Sequence, residues 1–238
     1  MKYKYICKCF LISICVFLFV SCNNDNSNEE TVKYIKTYTL SNLSGIQKSE
    51  VWNYNNKKQV VEIVRSNNTK TNYNYDNMGR LISAYTNLIS QSDIVIGSYE
   101  LEYEDHLIRI TKITRDEFNN EKSSVDEYVL DNTNRPIKRT YYSNGGTEIK
   151  YTYENGNIVK LEGPVDFTTY KYDNKKNVLY HYPIGFRLIM SDGLNMINNN
   201  NIIYKKSFYE LPLSLSYDSD GYLIQISDFE FTTQKFTY

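Results

Sequence analysis

The sequence has few of the residues that carry covalent or metal chemistry. Its four cysteines lie at positions 7, 9, 15 and 22, so no disulfide or thiolate ligand is available after Cys22. The two histidines, His106 and His181, stand in no His-x-x-x-His pair and beside no cysteine pair or carboxylate cluster. The serines of Ser44-Gly45 and Ser191-Asp192-Gly193 lack the flanking glycine of a nucleophile elbow. We therefore expect no metal, no cofactor and no catalytic residue, which predicts a protein that is not an enzyme.

Helical periodicity and an excess of positive charge are also missing. After residue 30 no long segment carries apolar residues at i, i+3, i+4 and i+7, the pattern of an amphipathic helix. The net charge is −1, which gives no electrostatic reason to bind nucleic acid. Tyrosine is abundant instead, with 24 copies against 10 phenylalanines and one tryptophan. Because tyrosine suits a pleated, half-buried surface, the composition favours an all-β fold.

The amino terminus has the features of a secretion signal. Three lysines and no acid occupy the first eight residues, and a nearly all-apolar run follows from Cys9 to Val20, too short to span a bilayer as a stable helix. The run ends in Phe19-Val20-Ser21-Cys22, which resembles the lipobox of bacterial lipoproteins, with Phe19 in place of the usual leucine. We predict a lipoprotein signal peptide over residues 1–21 and lipidation of Cys22. The alternative is a plain signal peptide with a chance cysteine.

A polar segment follows the predicted lipid site. Residues 23–30 contain only asparagine, aspartate, serine and glutamate, so they cannot bury apolar surface. We predict a lipidated flexible linker over residues 22–32 and a single β-repeat domain over residues 33–238. Two or more acyl chains anchor a protein durably, so the expected location is the outer membrane, on its periplasmic or cell-surface face. The acidic segment also resembles the export tags of surface-exposed lipoproteins, which favours the cell surface.

A repeat runs through the whole of the predicted domain. Each copy has a strand ending in Tyr-x-Tyr or a similar string, an acid or asparagine, a polar turn, and an aliphatic residue that opens the next strand. The copies start at residues 52, 73, 101, 128, 151, 170 and 215, with a degenerate copy at 196–202. Repeats at this spacing indicate a serial architecture in which each unit packs on its neighbours.

The repeat unit has the pattern of a β-hairpin. In residues 99–104, Tyr99, Leu101 and Tyr103 alternate with three glutamates, which places the two sets on opposite faces of a strand. The Glu-Asn-Gly-Asn string at 154–157 has the residues that tight turns require. Seven or eight such units predict about fourteen to sixteen strands in one antiparallel up-and-down meander, strongly curved or barrel-like.

Two strings in the repeat resemble a known family. Tyr73-x-Tyr75-Asp76-x-x-Gly79-Arg80-Leu81 is similar to the YD repeat of Rhs-type shell proteins, and residues 217–223 are close to it. The lipobox followed by about eight YD-like hairpins resembles Gram-negative lipoproteins that contain a domain of unknown function with a porin-like fold. The resemblance implies a curved or barrel-like antiparallel sheet, and it implies no catalytic residue.

Two repeated residue types allow a structural and a functional interpretation. The acids could bind cations along one rim, but capping of each acid's own turn explains their repetition without a ligand. The tyrosines could stack on sugar rings, but a tyrosine ladder in the core explains their single repeat position. The acids are Asp76, Glu154, Asp173 and Asp218, and the tyrosines are Tyr75, Tyr103, Tyr153, Tyr172 and Tyr217. We favour the structural interpretation of both.

One aromatic segment lies outside the repeat. Pro183 and Gly185 interrupt it, and irregular loops on a regular scaffold often bind ligands. The predicted ligand surface consists of Tyr180, His181, Tyr182, Phe186 and Arg187.

We expect a cell-envelope lipoprotein with a non-catalytic binding or scaffold role, held on the membrane through Cys22, with a glycan or protein partner and no nucleic acid. The alternative is an outer-membrane β-barrel or pore-like protein. Strand alternation and the aromatic C-terminal residue agree with it. Against it, Phe229 and Phe231 differ in parity from Phe236 and Tyr238, and a lipid anchor would be redundant.

Overall fold

A computed structural model of the chain describes residues 32–116, 118, 120–142, 145–190, 197–228 and 232–238. The predicted signal peptide and nearly all of the predicted linker, including Cys22, lie outside the described residues. Lipidation of Cys22 therefore stays a prediction. The described part begins at Val32, where a compact unit that continues to Tyr238 starts.

The described residues of this unit form sixteen strands and one short helix. The strands are β1 (Thr37–Asn42), β2 (Gly45–Tyr54), β3 (Val60–Arg65), β4 (Thr69–Tyr75), β5 (Leu81–Leu88), β6 (Gln91–Glu104), β7 (Leu107–Arg115), β8 (Glu121–Leu130), β9 (Pro136–Tyr141), β10 (Thr147–Glu154), β11 (Asn157–Glu162), β12 (Phe167–Lys176), β13 (Asn200–Lys206), β14 (Glu210–Tyr217), β15 (Leu223–Asp228) and β16 (Thr233–Thr237). The helix α1 spans Ile184–Met190, between β12 and β13. No helix among the described residues is long and apolar enough to cross a membrane.

The strands form one closed antiparallel barrel. Each strand pairs with its neighbours in sequence, and β1 pairs with β16, with Thr37 opposite Thr237. This closure removes both bare sheet edges. The prediction of an all-β, antiparallel up-and-down meander is confirmed, and the barrel is fully closed.

The two ends of the barrel have different connections. We call one the repeat end, because the repeated polar turns lie there; its connections are residues 55–59, 76–80, 105–106, 131–135, 155–156, 177–199 and 218–222. The other we call the rim end; its connections are residues 43–44, 66–68, 89–90, 116–120, 142–146, 163–166, 207–209 and 229–232.

Side chains alternate between the interior of the barrel, or lumen, and the outer wall. In the β6–β7 pair, Leu101 faces Ile110 across the strands, and both are buried in the lumen. On the opposite face, Glu102 lies across from Arg109, whose guanidinium donates to it at 3.2 Å. The core therefore lies inside the barrel, built from the apolar face of each strand.

The outer wall is mostly polar and charged. Ion pairs cross it from strand to strand, as between Lys138 and Glu148 at 2.8 Å. Asn53 donates to Glu62 at 2.9 Å in the same way on β2 and β3. Scattered apolar side chains such as Val51 do lie on this face, which is ordinary for a protein in contact with water.

Four repeat-end turns share one geometry that explains the repeated acid. An Asx oxygen accepts hydrogen bonds from the backbone N–H groups two and four residues later, as Asp76 does from Met78 and Arg80, both at 2.9 Å. The residue three positions after the Asx has a positive φ, which is 80° at Gly79. The other three turns begin at Asn55, Asp131 and Asp218. The structural interpretation of the repeated acids is therefore correct at Asp76 and Asp218.

The repeated tyrosines form a ring of hydrogen bonds inside the repeat end. Except at Tyr217, whose hydroxyl donates to the carboxylate of Asp173, each hydroxyl donates to a backbone carbonyl on or just before the preceding strand, as Tyr103 of β6 does to Leu81 of β5 at 2.7 Å. The same bond joins Tyr54 to Ile35, Tyr75 to Val60, Tyr153 to Pro136, Tyr172 to Ile158 and Tyr238 to Leu223. Burial raises the pKa of Tyr103 above its ordinary value, which keeps the hydroxyl a donor. The tyrosine ladder is thus part of the core, as the structural interpretation of the repeat predicts.

The copy at residue 170 departs from the predicted hairpin. A tight turn was expected after Tyr172, but β12 continues to Lys176 and leads into residues 177–190, which enter the lumen. Asp173 does not cap a closed hairpin turn there; its carboxylate accepts from the N–H of Asn201 on β13 at 3.1 Å. Helix α1 lies inside the barrel, because Phe186 is fully buried against Tyr73 of β4, with ring centroids 5.2 Å apart.

Candidate ligand cavity

A cavity of about 400 Å³ lies in the lumen beside the inserted segment. Its walls are mainly apolar and come from strands on both sides of the β1–β16 closure. They include Trp52, Leu179, Ile202, Leu213, Leu223 and Phe236. A volume of this size is within the range of small-molecule sites, which are typically about 300–1,000 Å³.

The cavity opens toward the rim end. Leu179 and Ile35, which are both buried, lie at the side nearer the repeat end. Lys205, Leu211 and Asp228 lie at the side where β13, β14 and β15 reach the rim end, and each is at least partly exposed. The arrangement is an apolar pocket with charged residues at its mouth.

A buried carboxylate stands in the wall of this cavity. Glu50 is only 2% exposed, and it accepts hydrogen bonds from the indole N–H of Trp52 at 3.1 Å and from Nε of Arg65 at 3.0 Å. The ammonium group of Lys48 lies 2.8 Å from the same carboxylate. Since a buried charge is tolerated only when it is paired and hydrogen-bonded, these three donors account for the acid's position. The cluster has two cations and one anion, so it carries a net positive charge.

A second cavity of about 310 Å³ adjoins the first. Lys48, Glu50 and Met190 line both cavities and therefore stand between them. The second cavity is more polar, with Arg65 and Thr71 in its wall; Arg65 donates to the hydroxyl of Thr71 at 2.5 Å. The lumen thus offers an apolar volume and a polar, cationic volume in direct succession.

The residues of the predicted ligand surface do not share one surface. Tyr180 and His181 are exposed, whereas Tyr182, Phe186 and Arg187 are buried at 5%, 0% and 9% exposure. A break in a strand was expected at Pro183 and Gly185. The structure has a turn there, and α1 follows it. Tyr180 and His181 keep an accessible face for a partner, and the other three have none.

The buried members of that set hold the inserted segment in place. The hydroxyl of Tyr182 lies 2.7 Å from that of Tyr54, and its ring stacks on Phe186 with centroids 5.3 Å apart. Burial raises the pKa of Tyr182 to about 12. Arg187 donates to the carbonyl of Asn198 at 3.2 Å, and burial lowers the pKa of Arg187 to about 10.

Sequence reasoning missed the residues of the cavity wall, although a signal was present. Lys48, Glu50, Trp52 and Tyr54 alternate along β2, so two charged residues share a face with two aromatic ones. A charged pair on an otherwise aromatic face predicts charges that point into the lumen. The described residues contain no group of three or more metal-ligating side chains.

No protein-family model and no curated protein matches the sequence. Among solved structures, a porin-like protein from Bacteroides vulgatus matches with a TM-score of 0.46 and 12% identity, over 86% of this chain and 98% of the other. A TcdB2-TccC3-TEV structure matches with a TM-score of 0.25 and 14% identity, over 78% of this chain and 9% of the other. Both likenesses are weak, and they assign no function.

Proposed function

We propose that this protein is a non-catalytic, lipid-anchored barrel that faces water and binds a small apolar or amphipathic molecule in its lumen. The observation that carries the proposal is the apolar cavity of about 400 Å³, open at one end of the barrel. Barrels of this kind hold a ligand when the inward side chains leave room for it. The anchor at Cys22 and the outer-membrane location belong to the same proposal.

The distribution of polar side chains supports contact of the barrel wall with water. A membrane-spanning barrel turns an apolar band outward and polar residues inward. This barrel has the opposite arrangement: Leu101 and Ile108 face the lumen, while Glu102 and Arg109 face outward. A charged side chain facing lipid near the bilayer midplane costs about 2–4 kcal/mol when it is cationic, so a wall with many such residues favours water.

The composition of the lumen indicates the class of ligand. The first cavity offers aliphatic and aromatic walls, and Lys48 with Arg65 supplies positive charge where it meets the second cavity. An apolar body that carries an acidic group fits both parts. Medium-chain fatty acids are the simplest molecules with this chemistry, and they are suitable probes.

Trp52 allows a direct test of binding, because it lines the cavity and is the only tryptophan in the chain. Bromine quenches indole fluorescence on contact, so titration with 11-bromoundecanoic acid should quench Trp52 in a saturable manner. Leu213→Phe fills part of the cavity and should raise the apparent Kd by about ten-fold, or about 1.4 kcal/mol. Leu215→Phe, two residues along β14 on the same face but outside the cavity lining, is the matched control and should leave the Kd unchanged. Absence of quenching, or an equal change of the Kd in both variants, would show that the cavity does not bind the acid.

An outer-membrane or pore-like role is the second candidate. The closed sixteen-stranded barrel is the architecture that this alternative needs, and it supports the alternative at the level of fold. Conductance of the purified chain in a planar lipid bilayer tests it. Stable channels that Phe186→Ala enlarges would favour the pore, since Phe186 lies in the segment inside the lumen.

A further inference from the structure

Exposed apolar side chains are concentrated at one end of the barrel. Nine large apolar or aromatic side chains among the described residues are more than half exposed. Six of them lie in rim-end connections, and we call these six the apolar rim: Leu43, Phe118, Tyr142, Val165, Phe208 and Tyr209. Two more, Ile46 and Phe167, lie within two residues of a rim-end connection.

The repeat end provides the contrast. Met78 is the only one of the nine that lies in a repeat-end connection. The difference is not explained by the fold, because both ends need only turn residues to connect their strands. Several separate loops each place an apolar side chain in water at one end, and such exposure marks an interaction site.

The arrangement of the apolar rim fits a lipid surface. Its residues come from five different connections spread around the mouth, so a flat, deformable apolar phase can engage them together, whereas one compact protein patch would meet only some of them. Below the rim the outer wall carries ion pairs, such as Lys206 with Glu210 at 2.7 Å next to Phe208 and Tyr209. These charges limit penetration to the loop tips, as expected of interfacial binding.

Two lysines near the rim are paired within the protein. Lys160 lies 2.9 Å from Glu162, and Lys206 from Glu210 at 2.7 Å, so neither of these two is an excess positive charge for anionic headgroups. The attraction to the membrane is then expected from apolar burial of the six rim side chains. Binding should then occur on zwitterionic lipid and persist at high salt.

We propose that the apolar rim docks the barrel mouth on a lipid bilayer, with the loop tips in the interface and the outer wall in water. The inference is independent of ligand binding in the lumen, although the cavity opens toward the same end. A ligand could then pass between the bilayer and the cavity without crossing water.

The chain between the predicted anchor and the barrel is long enough for this orientation. Residues 22–31 reach about 33 Å when extended. Strands β1 and β16, beside which the described chain starts, have six and five residues, so the wall there is no more than about 20 Å high. The described chain begins at the repeat end, where Lys33 pairs with Asp218, so the chain must span the wall for anchor and rim to meet one bilayer.

Local tryptophan reporters test the docking. Residues 22–238 with Cys22→Ser, which cannot be lipidated, carry either Phe208→Trp or the equally exposed control Met78→Trp. On addition of phosphatidylcholine vesicles, the emission of the Phe208→Trp chain should shift to the blue, and the shift should survive 1 M salt. The Met78→Trp chain should show no shift, and Trp52 contributes equally to both spectra.

Loss of the other rim side chains completes the test. In the Phe208→Trp chain, adding Leu43→Ser and Phe118→Ser should weaken partition into vesicles by about ten-fold. Both side chains are exposed, so each substitution removes apolar area that would otherwise be buried in the bilayer interface. Equal shifts at positions 208 and 78, or no shift at 208, would overturn the proposal. So would a dimer, seen by sedimentation without lipid, that the serine variants dissociate. Quenching of Trp52 by the brominated acid does not depend on vesicles, so failure of docking and failure of ligand binding are separate results.

Discussion

At the scale of single residues, the tyrosine hydroxyl links neighbouring repeats. In most copies the aromatic ring supplies apolar area to the lumen, and the hydroxyl satisfies a carbonyl on the preceding strand. The turn arginine adds a further contact, because the guanidinium of Arg80 lies 4.7 Å from the ring centroid of Tyr103 while its Nε donates to Asp76 at 2.7 Å. One short string of residues therefore specifies a polar turn, an aromatic side chain in the lumen and a hydrogen bond to a neighbouring hairpin.

Removal of one such hydroxyl should cost a measurable part of the stability. Tyr103→Phe keeps the ring and leaves the carbonyl of Leu81 without its donor, so the free energy of unfolding should fall by about 1 kcal/mol. Tyr85→Phe, on the outer wall, is the control and should change stability by less than about 0.5 kcal/mol. Urea unfolding measures both free energies. An equal loss of stability in the two variants would show that the hydroxyl of Tyr103 has no structural role.

At the scale of elements, helix α1 packs closely against Tyr103, one of the tyrosines whose hydroxyls form the hydrogen bonds at the repeat end. Gly185 lies against β6, where an added Cβ would overlap the hydroxyl of Tyr103 and lie 2.9 Å from Cδ2 of Leu101. Glycine weakens a helix by about 1 kcal/mol relative to alanine, so its presence here reflects the space available and not helix propensity. The inserted segment therefore contacts Tyr103, the same residue whose hydroxyl donates to the carbonyl of Leu81.

The substitution Gly185→Ala should therefore destabilise the protein, by about 1–3 kcal/mol, despite the gain in helix propensity. The hydroxyl of Tyr103 is held by Leu81 at 2.7 Å and cannot withdraw cheaply. In the double variant with Tyr103→Phe, the overlapping oxygen is gone, so the loss should be smaller than the sum of the two single losses. Additive losses in urea unfolding would show that the clash does not involve Tyr103.

At the scale of the whole molecule, local pattern predicted the strands, most of the turns and the core tyrosines, but neither the inserted helix nor the cavities. Alternation in Tyr99, Leu101 and Tyr103 assigned the faces, and Asp76 with Gly79 assigned a turn, because both signals act within a few residues. The sequence did not decide whether the sheet closes into a barrel, because closure depends on Thr37 pairing with Thr237, 200 residues away. The inserted helix was missed because seven residues are too few to show a helical period.

The cavity was missed for a related reason. Its walls combine Trp52 from one side of the closure with Leu213 and Leu223 from the other, and that juxtaposition exists only once the barrel has closed. The same holds for the apolar rim, whose members are isolated in sequence and gather only at one mouth. Functional surfaces in a closed meander are therefore set by topology more than by motif.

The central claim is that the barrel turns its apolar face inward and its charged face to water. Sedimentation velocity of residues 22–238 with Cys22→Ser, in buffer without detergent or lipid, tests it most directly. The predicted result is one monomeric species that remains soluble. Aggregation that only detergent micelles reverse would contradict the claim and favour a wall that faces lipid.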